Sequence, residues 1–232
     1  MEYVICLVIL ILTIVFLKFI FKVNFAELKK LQENEGISKI TDNFPENVEI
    51  AKEYLEMLEN EEVIIEETHD SKTSLYLVMT NKIVIADMKN NYARLQVIAH
   101  ECIHSIQDRR LLLFNFIFSN IFILSFLTCI ILTILKVVSN ISIPLFILTF
   151  MSLIQFSVRS FLEIDAMIRS RFLVKEYIEK KQIIASCEAN IILDEYERTN
   201  KVGIPFVIYN LLTVHILWLA TYLIVGIVMK MF

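Results

Sequence analysis

Two histidines one helical turn apart, with a glutamate beside the first, are the residues of this chain best suited to catalysis. They lie in His100-Glu101-Cys102-Ile103-His104. Residues at positions i and i+4 share one face of a helix, so both imidazoles can reach one zinc ion. The carboxylate of Glu101 can then accept a proton from a zinc-bound water. This is the HExxH arrangement of zinc metallopeptidases, and it predicts His100 and His104 as metal ligands and Glu101 as the general base.

A third ligand is required, because catalytic zinc takes three protein ligands and keeps one position open for water. An apolar hairpin follows the motif, and the chain that leaves this hairpin returns to the side where the motif lies. The first carboxylate on that return is Glu163, in Glu163-Ile164-Asp165-Ala166. Glu163 is therefore the predicted third ligand. Asp165 is the competing carboxylate, or it orients one of the histidines from the second shell of the site.

Peptide hydrolysis also needs a hydrogen-bond donor for the developing oxyanion. The sequence offers four candidates and favours none of them: His69, Tyr92, Tyr177 and Arg169. Asp108, four residues after the second histidine, reads as a solvated carboxylate at a helix end. His215 lies in an apolar run, where we expect a neutral imidazole bonded to a neighbouring helix rather than a functional group.

Four apolar runs account for the composition of the chain, which is 56% hydrophobic with a mean hydropathy of +0.63. They cover residues 3–21, 111–135, 137–158 and 204–229. Each approaches or exceeds the roughly 20 residues that cross a bilayer as a helix. The first run follows the acidic Glu2 and precedes no small-residue cleavage site, so it reads as an uncleaved anchor. Three spans and a cleaved signal peptide are the alternative.

Basic residues concentrate in the two polar segments between these runs, 22–110 and 159–203. On the other side lie only Lys136, between the second and third runs, and Lys230 near the end. Cytoplasmic loops of membrane proteins carry an excess of lysine and arginine. The sequence thus predicts a multi-pass protein of the cell membrane, with both polar segments and the active site facing the cytoplasm and both termini outside.

The polar segment before the motif mixes helical and strand patterns. Helical spacing covers residues 25–32 and 46–58, and β-branched stretches predict short strands at 63–65, 75–78 and 82–86, with a turn at 68–71. The motif helix is predicted to begin between Asn91 and Arg94. Because Leu111 follows His104 by only seven positions, this helix can continue straight into the second apolar run.

The strand directly before the motif helix has a possible role in substrate binding. If that strand lies at the edge of the small sheet, an extended peptide can add to it as an extra strand. An ordinary capped edge strand is the alternative.

Together, these patterns predict a mainly α integral membrane protein with about four transmembrane helices and a small cytoplasmic α+β zinc-peptidase core. Its segments are an N-terminal membrane anchor (1–21), a cytoplasmic region that ends in the HExxH helix (22–110), a transmembrane hairpin (111–158), a cytoplasmic helical region with Glu163 (159–203) and a C-terminal transmembrane helix (204–232). Within the fourth segment, a charged helix is predicted over 175–198, ending before Gly203-Ile204-Pro205.

The net charge of −4 favours neither nucleic acid nor an acidic substrate as a partner.

The chain resembles the YugP-like neutral zinc metallopeptidases of bacterial membranes. The resemblance rests on Ala99-His100-Glu101, on His104-Ser105-Ile106-Gln107, and on the Glu163 to Ala166 motif with Arg169 after it. The order of anchor, soluble region, HExxH, hairpin, ExxA and terminal span also matches, and the hairpin with ExxA is similar to membrane peptidases related to the CaaX prenyl proteases. The resemblance implies a gluzincin-type site in which Glu163 is the third zinc ligand.

The chain departs from the family pattern at three places. Ile103 stands where the family usually has glycine, Cys102 follows the glutamate, and Met167-Ile168 follows Ala166 in place of small or basic residues. These departures leave the ligands intact and bear on how a substrate fits.

The sequence therefore predicts a membrane-bound zinc metalloendopeptidase that hydrolyses peptide bonds through a zinc-activated water at the cytoplasmic membrane interface. Its cofactor is Zn²⁺, and its expected substrates are unfolded or membrane-proximal polypeptides. The alternative is a catalytically inactive, zinc-peptidase-like scaffold or partner-binding protein, which the bulk of Ile103 favours. A channel or transporter finds little support, because the apolar runs lack buried charges and paired broken helices.

Overall fold

The computed structural model describes residues 1–32, 35–68, 73–88 and 91–231. Within these ranges the chain is mostly helical and carries one small sheet. The helices are α1 (Glu2–Ile20), α2 (Phe25–Gln32), α3 (Glu35–Thr41), α4 (Asn47–Met57), α5 (Arg94–Ile106), α6 (Arg109–Ile134), α7 (Ser142–Lys181) and α8 (Ser186–Met231). The strands are β1 (Ile64–Thr68), β2 (Leu75–Leu77) and β3 (Lys82–Ala86). The mainly helical character and the small sheet of the predicted fold class are confirmed.

Four of the helices, α1, α6, α7 and α8, are long and apolar enough to cross a membrane. Helices of this composition are what a bilayer accepts, because each backbone group is bonded within its own segment. The predicted count of four candidate spans is therefore confirmed. The predicted orientation stays a prediction.

The chain packs as two units. The apolar unit comprises residues 1–23, 114–161 and 205–232, and the polar unit comprises residues 24–113 and 162–204. In the apolar unit, a core of large side chains joins α6, α7 and α8, with Phe126 edge-to-face against Trp218 at 4.5 Å between ring centroids. Gly226 lets α8 approach Ile141, since a Cβ there would lie 2.8 Å from the Ile141 side chain.

The sheet of the polar unit has the strand order β1-β3-β2. β3 pairs in parallel with β1, with Ile64 opposite Lys82, and antiparallel with β2, with Leu75 opposite Val84. The three strands overlap the three predicted ones, while residues 69–71 of the predicted turn lie outside the described residues.

The expectation that the strand directly before the motif helix has an open edge is wrong. That strand is β3, the central one, and its Ile83 and Ile85 side chains are fully buried. A strand whose residues are almost all apolar is typically buried on both faces of its sheet. The outer strands among the described residues are β1 and β2.

The motif helix α5 packs its apolar side into the core of the polar unit, against α4. Leu95, Ile98 and Ala99 are fully buried, and the Tyr54 hydroxyl of α4 donates a hydrogen bond to the Leu95 carbonyl at 3.3 Å. One side of α5 is thus packed in the core, and both histidines lie on its other face, as their i,i+4 spacing predicts.

The motif helix does not continue into the second apolar run, so that expectation is wrong. α5 ends at Ile106, and Gln107 has an extended backbone (φ −69°, ψ 163°). The Asp108 side chain then accepts hydrogen bonds from the backbone N–H groups of Arg110 (2.7 Å) and Leu111 (3.4 Å). Asp108 therefore caps the start of α6, which is the helix-end role expected for this carboxylate.

The last helix also differs from its prediction. The segment 175–198 is divided between two helices: α7 ends at Lys181, and α8 begins at Ser186 and continues through Gly203 and Pro205 to Met231. Gly203 serves close packing rather than a turn, because a Cβ at this position would lie 3.0 Å from the Met167 Cε atom of α7. Glycine and proline in a sequence usually predict a helix break, whereas here the glycine gives α8 a close approach to the Met167 side chain.

We expect the substitution Gly203→Ala to show energetic coupling with Met167. In the wild-type background the gain in helix propensity is offset by the contact with the Met167 methyl group. In a Met167→Ala background the same substitution should stabilise the protein by about 1 kcal/mol. Thermal unfolding of the four proteins of this double-mutant cycle measures the difference. An equal effect of Gly203→Ala in both backgrounds would contradict the packing role.

Candidate metal centre

Three side chains from two helices of the polar unit converge on one point. His100 and His104 come from α5 and Glu163 comes from α7, and their ligand atoms all lie within 4.8 Å of one another. The two Nε2 atoms are 3.0 Å apart, and the Glu163 Oε2 atom lies 3.4 Å from the His100 Nε2 and 3.9 Å from the His104 Nε2. The structure thus brings together the three residues predicted as ligands.

These spacings fit a tetrahedral metal ion. Ligand atoms about 2.0–2.1 Å from zinc at tetrahedral angles lie roughly 3.3 Å from one another. The three separations scatter around that value, and two imidazoles with one carboxylate are a donor set that zinc takes in catalytic sites. The group can therefore hold a metal ion.

The ligand group is partly open to solvent. The exposed fractions of the side chains are 20% for His100, 12% for His104 and 28% for Glu163. A structural zinc site is closed by four protein ligands, whereas a catalytic one keeps an accessible position. Three ligands with a solvent-facing side match the second kind of site.

Gln107 fixes the orientation of the second histidine. Its Nε2 group donates to the Leu162 carbonyl (2.9 Å) and to the Asp165 carboxylate (2.8 Å), and both of these partners can only accept. Its Oε1 atom therefore faces the Nδ1 atom of His104 at 2.8 Å, and Nδ1 must be the donor. This leaves the lone pair of the His104 imidazole on Nε2, the atom that points at the other ligands.

Asp165 accordingly acts on His104 through Gln107 rather than by direct contact. Arg169 extends the same chain, since its guanidinium lies 3.4 Å from the Asp165 carboxylate. Among the described residues, the metal-binding group contains Glu163 and not Asp165. The geometry favours Glu163 over its competitor as the third ligand.

A second amide chain lies on the other side of the ligand group. Gln96, one turn before His100 on α5, donates to the Asn200 side chain of α8 at 2.7 Å. Asn200 in turn donates to the carbonyl of Met167, one turn after Glu163 on α7, also at 2.7 Å. Both amide side chains are buried. The two ligand-bearing helices are therefore joined on both sides of the ligand group.

The two imidazoles have pKa values shifted in opposite directions. Burial lowers the pKa of His100, but the hydrogen bond with Glu163 and the charges of Glu101 and Glu163 outweigh it, so the net shift is upward. Burial and the neighbouring His100 lower the pKa of His104. His104 is thus readily neutral and free to ligate, whereas a proton on His100 competes with a metal as the pH falls.

Glu101 is buried beside the ligand group, on the same helix. Burial raises the pKa of its carboxyl, and the positive charge of His100 opposes this shift while the negative charge of Glu163 adds to it. The backbone N–H of Tyr76, in the outer strand β2, also stabilises the carboxylate. A carboxyl with a raised pKa can both accept and return a proton near neutral pH.

The other predicted candidates occupy different surroundings. The Tyr177 hydroxyl donates to Glu53 in the core, and the Tyr92 hydroxyl lies 3.5 Å from the Thr199 hydroxyl. Arg169 belongs to the chain that reaches His104, and His69 lies outside the described residues. The oxyanion donor therefore stays unassigned among these four.

Two features of the centre were missed from the sequence. Gln107 belongs to one of the motifs that carry the family resemblance, but the sequence does not predict its hydrogen bonds to His104 of α5 and to Leu162 and Asp165 of α7. Nothing in the sequence pairs Gln96 with Asn200. Ile103 is 2% exposed and packs in the core rather than on the face that carries the histidines. Its bulk therefore does not fill the site.

Comparisons with protein-family models, curated proteins and solved structures find no match for this chain. The resemblance to the YugP-like peptidases accordingly rests on the motifs and on the order of the elements, and family membership stays a prediction.

We expect the nearly isosteric substitution Gln107→Leu to lower zinc affinity by about 10–100-fold, because it removes the acceptor of the His104 Nδ1–H group and so frees the ring. Competition with a chelator of known affinity measures the change. Ser105→Ala is the matched control, since Ser105 is a neighbour of His104 whose hydroxyl bonds to Asn60 and to the Cys102 carbonyl. Equal zinc affinity in the two variants would refute the orienting role of Gln107.

Proposed function

We propose that this protein is a membrane-bound zinc metalloendopeptidase. The observation that carries the proposal is the spacing of His100, His104 and Glu163, which suits one tetrahedral ion with an open position. The HExxH and ExxA motifs and their resemblance to YugP-like peptidases support the same reading. The four apolar helices support insertion in the cell membrane, with the active site facing the cytoplasm as the distribution of basic residues favours.

In this proposal His100, His104 and Glu163 hold the zinc ion. Zinc supplies Lewis acidity and lowers the pKa of water in the site toward about 7. Glu101 accepts the proton that this water loses as it attacks the peptide carbonyl, and then delivers the proton to the leaving amine. Gln107 keeps the His104 ring in place throughout.

The outer strand β2 is a suitable support for an extended substrate. Among the described residues it pairs only with β3, and its Tyr76 backbone reaches the Glu101 carboxylate. An extended polypeptide can add to such a strand through main-chain hydrogen bonds. We propose unfolded or membrane-proximal polypeptides as substrates, because only chain without fixed secondary structure can lie along a strand in this way.

Metal content measured by mass spectrometry tests the ligand set. We expect about one zinc per chain in the wild type and in Glu101→Gln, and loss of zinc in Glu163→Ala, because catalytic zinc needs three protein ligands. Asp165→Asn is the matched control and should keep the ion. Loss of zinc in Asp165→Asn with retention in Glu163→Ala would assign the competing carboxylate. A wild type that binds no zinc after reloading would rule out the peptidase.

Peptide hydrolysis by the same proteins tests the role of Glu101. We expect Glu101→Gln to keep its zinc and to lose about 10²–10⁴-fold in kcat, the usual contribution of a general base. Cleavage of a panel of unfolded soluble and membrane-protein polypeptides gives the substrate class. Zinc-loaded wild type with no more activity than Glu101→Gln would favour the inactive scaffold instead.

A further inference from the structure

The apolar unit contains a layer of buried and half-buried polar side chains from three helices. It consists of Asn115 and Ser119 of α6, Ser152 and Gln155 of α7 and His215 of α8, here called the polar layer. Gln155 joins two of the helices by donating to the Ser119 hydroxyl at 2.8 Å. The His215 ring meets Phe122 of α6 edge-to-face at 5.5 Å between centroids, one turn from Ser119. Gln155 and Ser119 thus lie side by side, Asn115 and Ser152 lie about one turn from them on the same helices, and His215 faces α6 one turn from Ser119.

Four atoms of the polar layer are buried without a hydrogen-bond partner among the described residues. They are the Asn115 Oδ1, Ser152 Oγ, Gln155 Oε1 and His215 Nδ1 atoms. The side chains are deeply enclosed, since Ser152, Gln155 and His215 are 4%, 7% and 8% exposed. Buried polar atoms in folded proteins nearly always have a partner, from protein or from ordered water.

The layer lies in the part of the apolar helices where the polar segments join them. Gln155 is three residues before the end of the third apolar run, and Asn115 is four residues after the start of the second, which is about 4–6 Å of helix in each case. The four atoms are nevertheless enclosed by packed side chains. A partner for them must therefore lie inside the helix bundle.

We propose that the polar layer is a binding site for water molecules inside the apolar unit. The amide oxygens of Asn115 and Gln155 can only accept, whereas the Ser152 hydroxyl and the His215 Nδ1 can each donate or accept, so a partner that both donates and accepts can satisfy all four. The layer contains no carboxylate that would hold a cation, and a neutral donor of small size is water. A water molecule with two to four such partners is held in a defined place.

The neighbouring layer of the same helix bundle consists mainly of apolar side chains. One turn away on the same face of α7 lies Leu148, which is fully buried among Phe122, Phe126, Leu219 and other apolar side chains. Leu153, next to Ser152 in sequence, points outward and is 55% exposed. These two positions give a buried and an outward-facing comparison within one turn of the proposed water site.

Hydrogen–deuterium exchange of an introduced thiol, followed by its infrared S–H stretching band, distinguishes the three environments, because the thiol proton exchanges only where water reaches the sulfur. Cys6, Cys129 and Cys187 are replaced by alanine. Cys102 stays, since it is fully buried, and its band in the protein without an added cysteine is subtracted. Single cysteines are then introduced by Ser152→Cys, Leu148→Cys and Leu153→Cys, and each protein, in vesicles, is transferred to D₂O.

We expect the thiol of Ser152→Cys to exchange at least about tenfold faster than the other two, and all three to exchange alike once unfolded in denaturant. Adding Gln155→Leu and His215→Leu, which remove two of the water ligands, should slow the exchange at position 152 to the rate at position 148. Equal rates at the three positions in the folded protein, or a rate at 152 that is indifferent to the two leucines, would overturn the proposal. The inference rests on the proposed membrane insertion, but neither zinc content nor peptidase activity bears on it.

Discussion

Holding three side chains from two helices around one point is the constraint on which the polar unit depends. Two of the ligands come together within α5, because the i,i+4 spacing puts them on one face. The third requires α7 to cross α5 at one height, since a slip of one residue moves a helix by 1.5 Å and turns its side chains by 100°. Gln107 and the chain from Gln96 through Asn200 fix that height on both sides of Glu163.

Neutral amides make these connections, and this choice suits a site for a cation. A buried amide carries no net charge, so its burial costs less free energy than that of an ion pair. It also adds no positive charge that would repel the metal and no carboxylate that would compete for it. The one guanidinium in the network, that of Arg169, is held on Asp165 at its far end. The apolar unit uses the same device, where the amide of Gln155 joins α6 to α7.

Particular residues show how far sequence reasoning reached. The faces of α5 followed from its periodicity, and Glu163 followed from the even number of spans between the motif and the next polar segment. Asp108 was correctly placed at a helix end. The position of β3 at the centre of the sheet was not predictable, because strand order depends on which strands pair with one another in the folded chain. The continuity of α8 through Gly203 was missed because its cause, the Met167 side chain, is distant in sequence.

The sequence by itself determined what is local or compositional: two histidines on one helix face, four runs that can only be satisfied as apolar helices, and a carboxylate that returns to the right side. Tertiary structure alone decided which atoms partner which. The tautomer of His104, the register of α7 on α5 and the packing of α8 each depend on a hydrogen bond or contact between residues far apart in the chain. Periodicity carries no information about such pairs, since a buried amide satisfies its bonding with whichever partner the fold brings near.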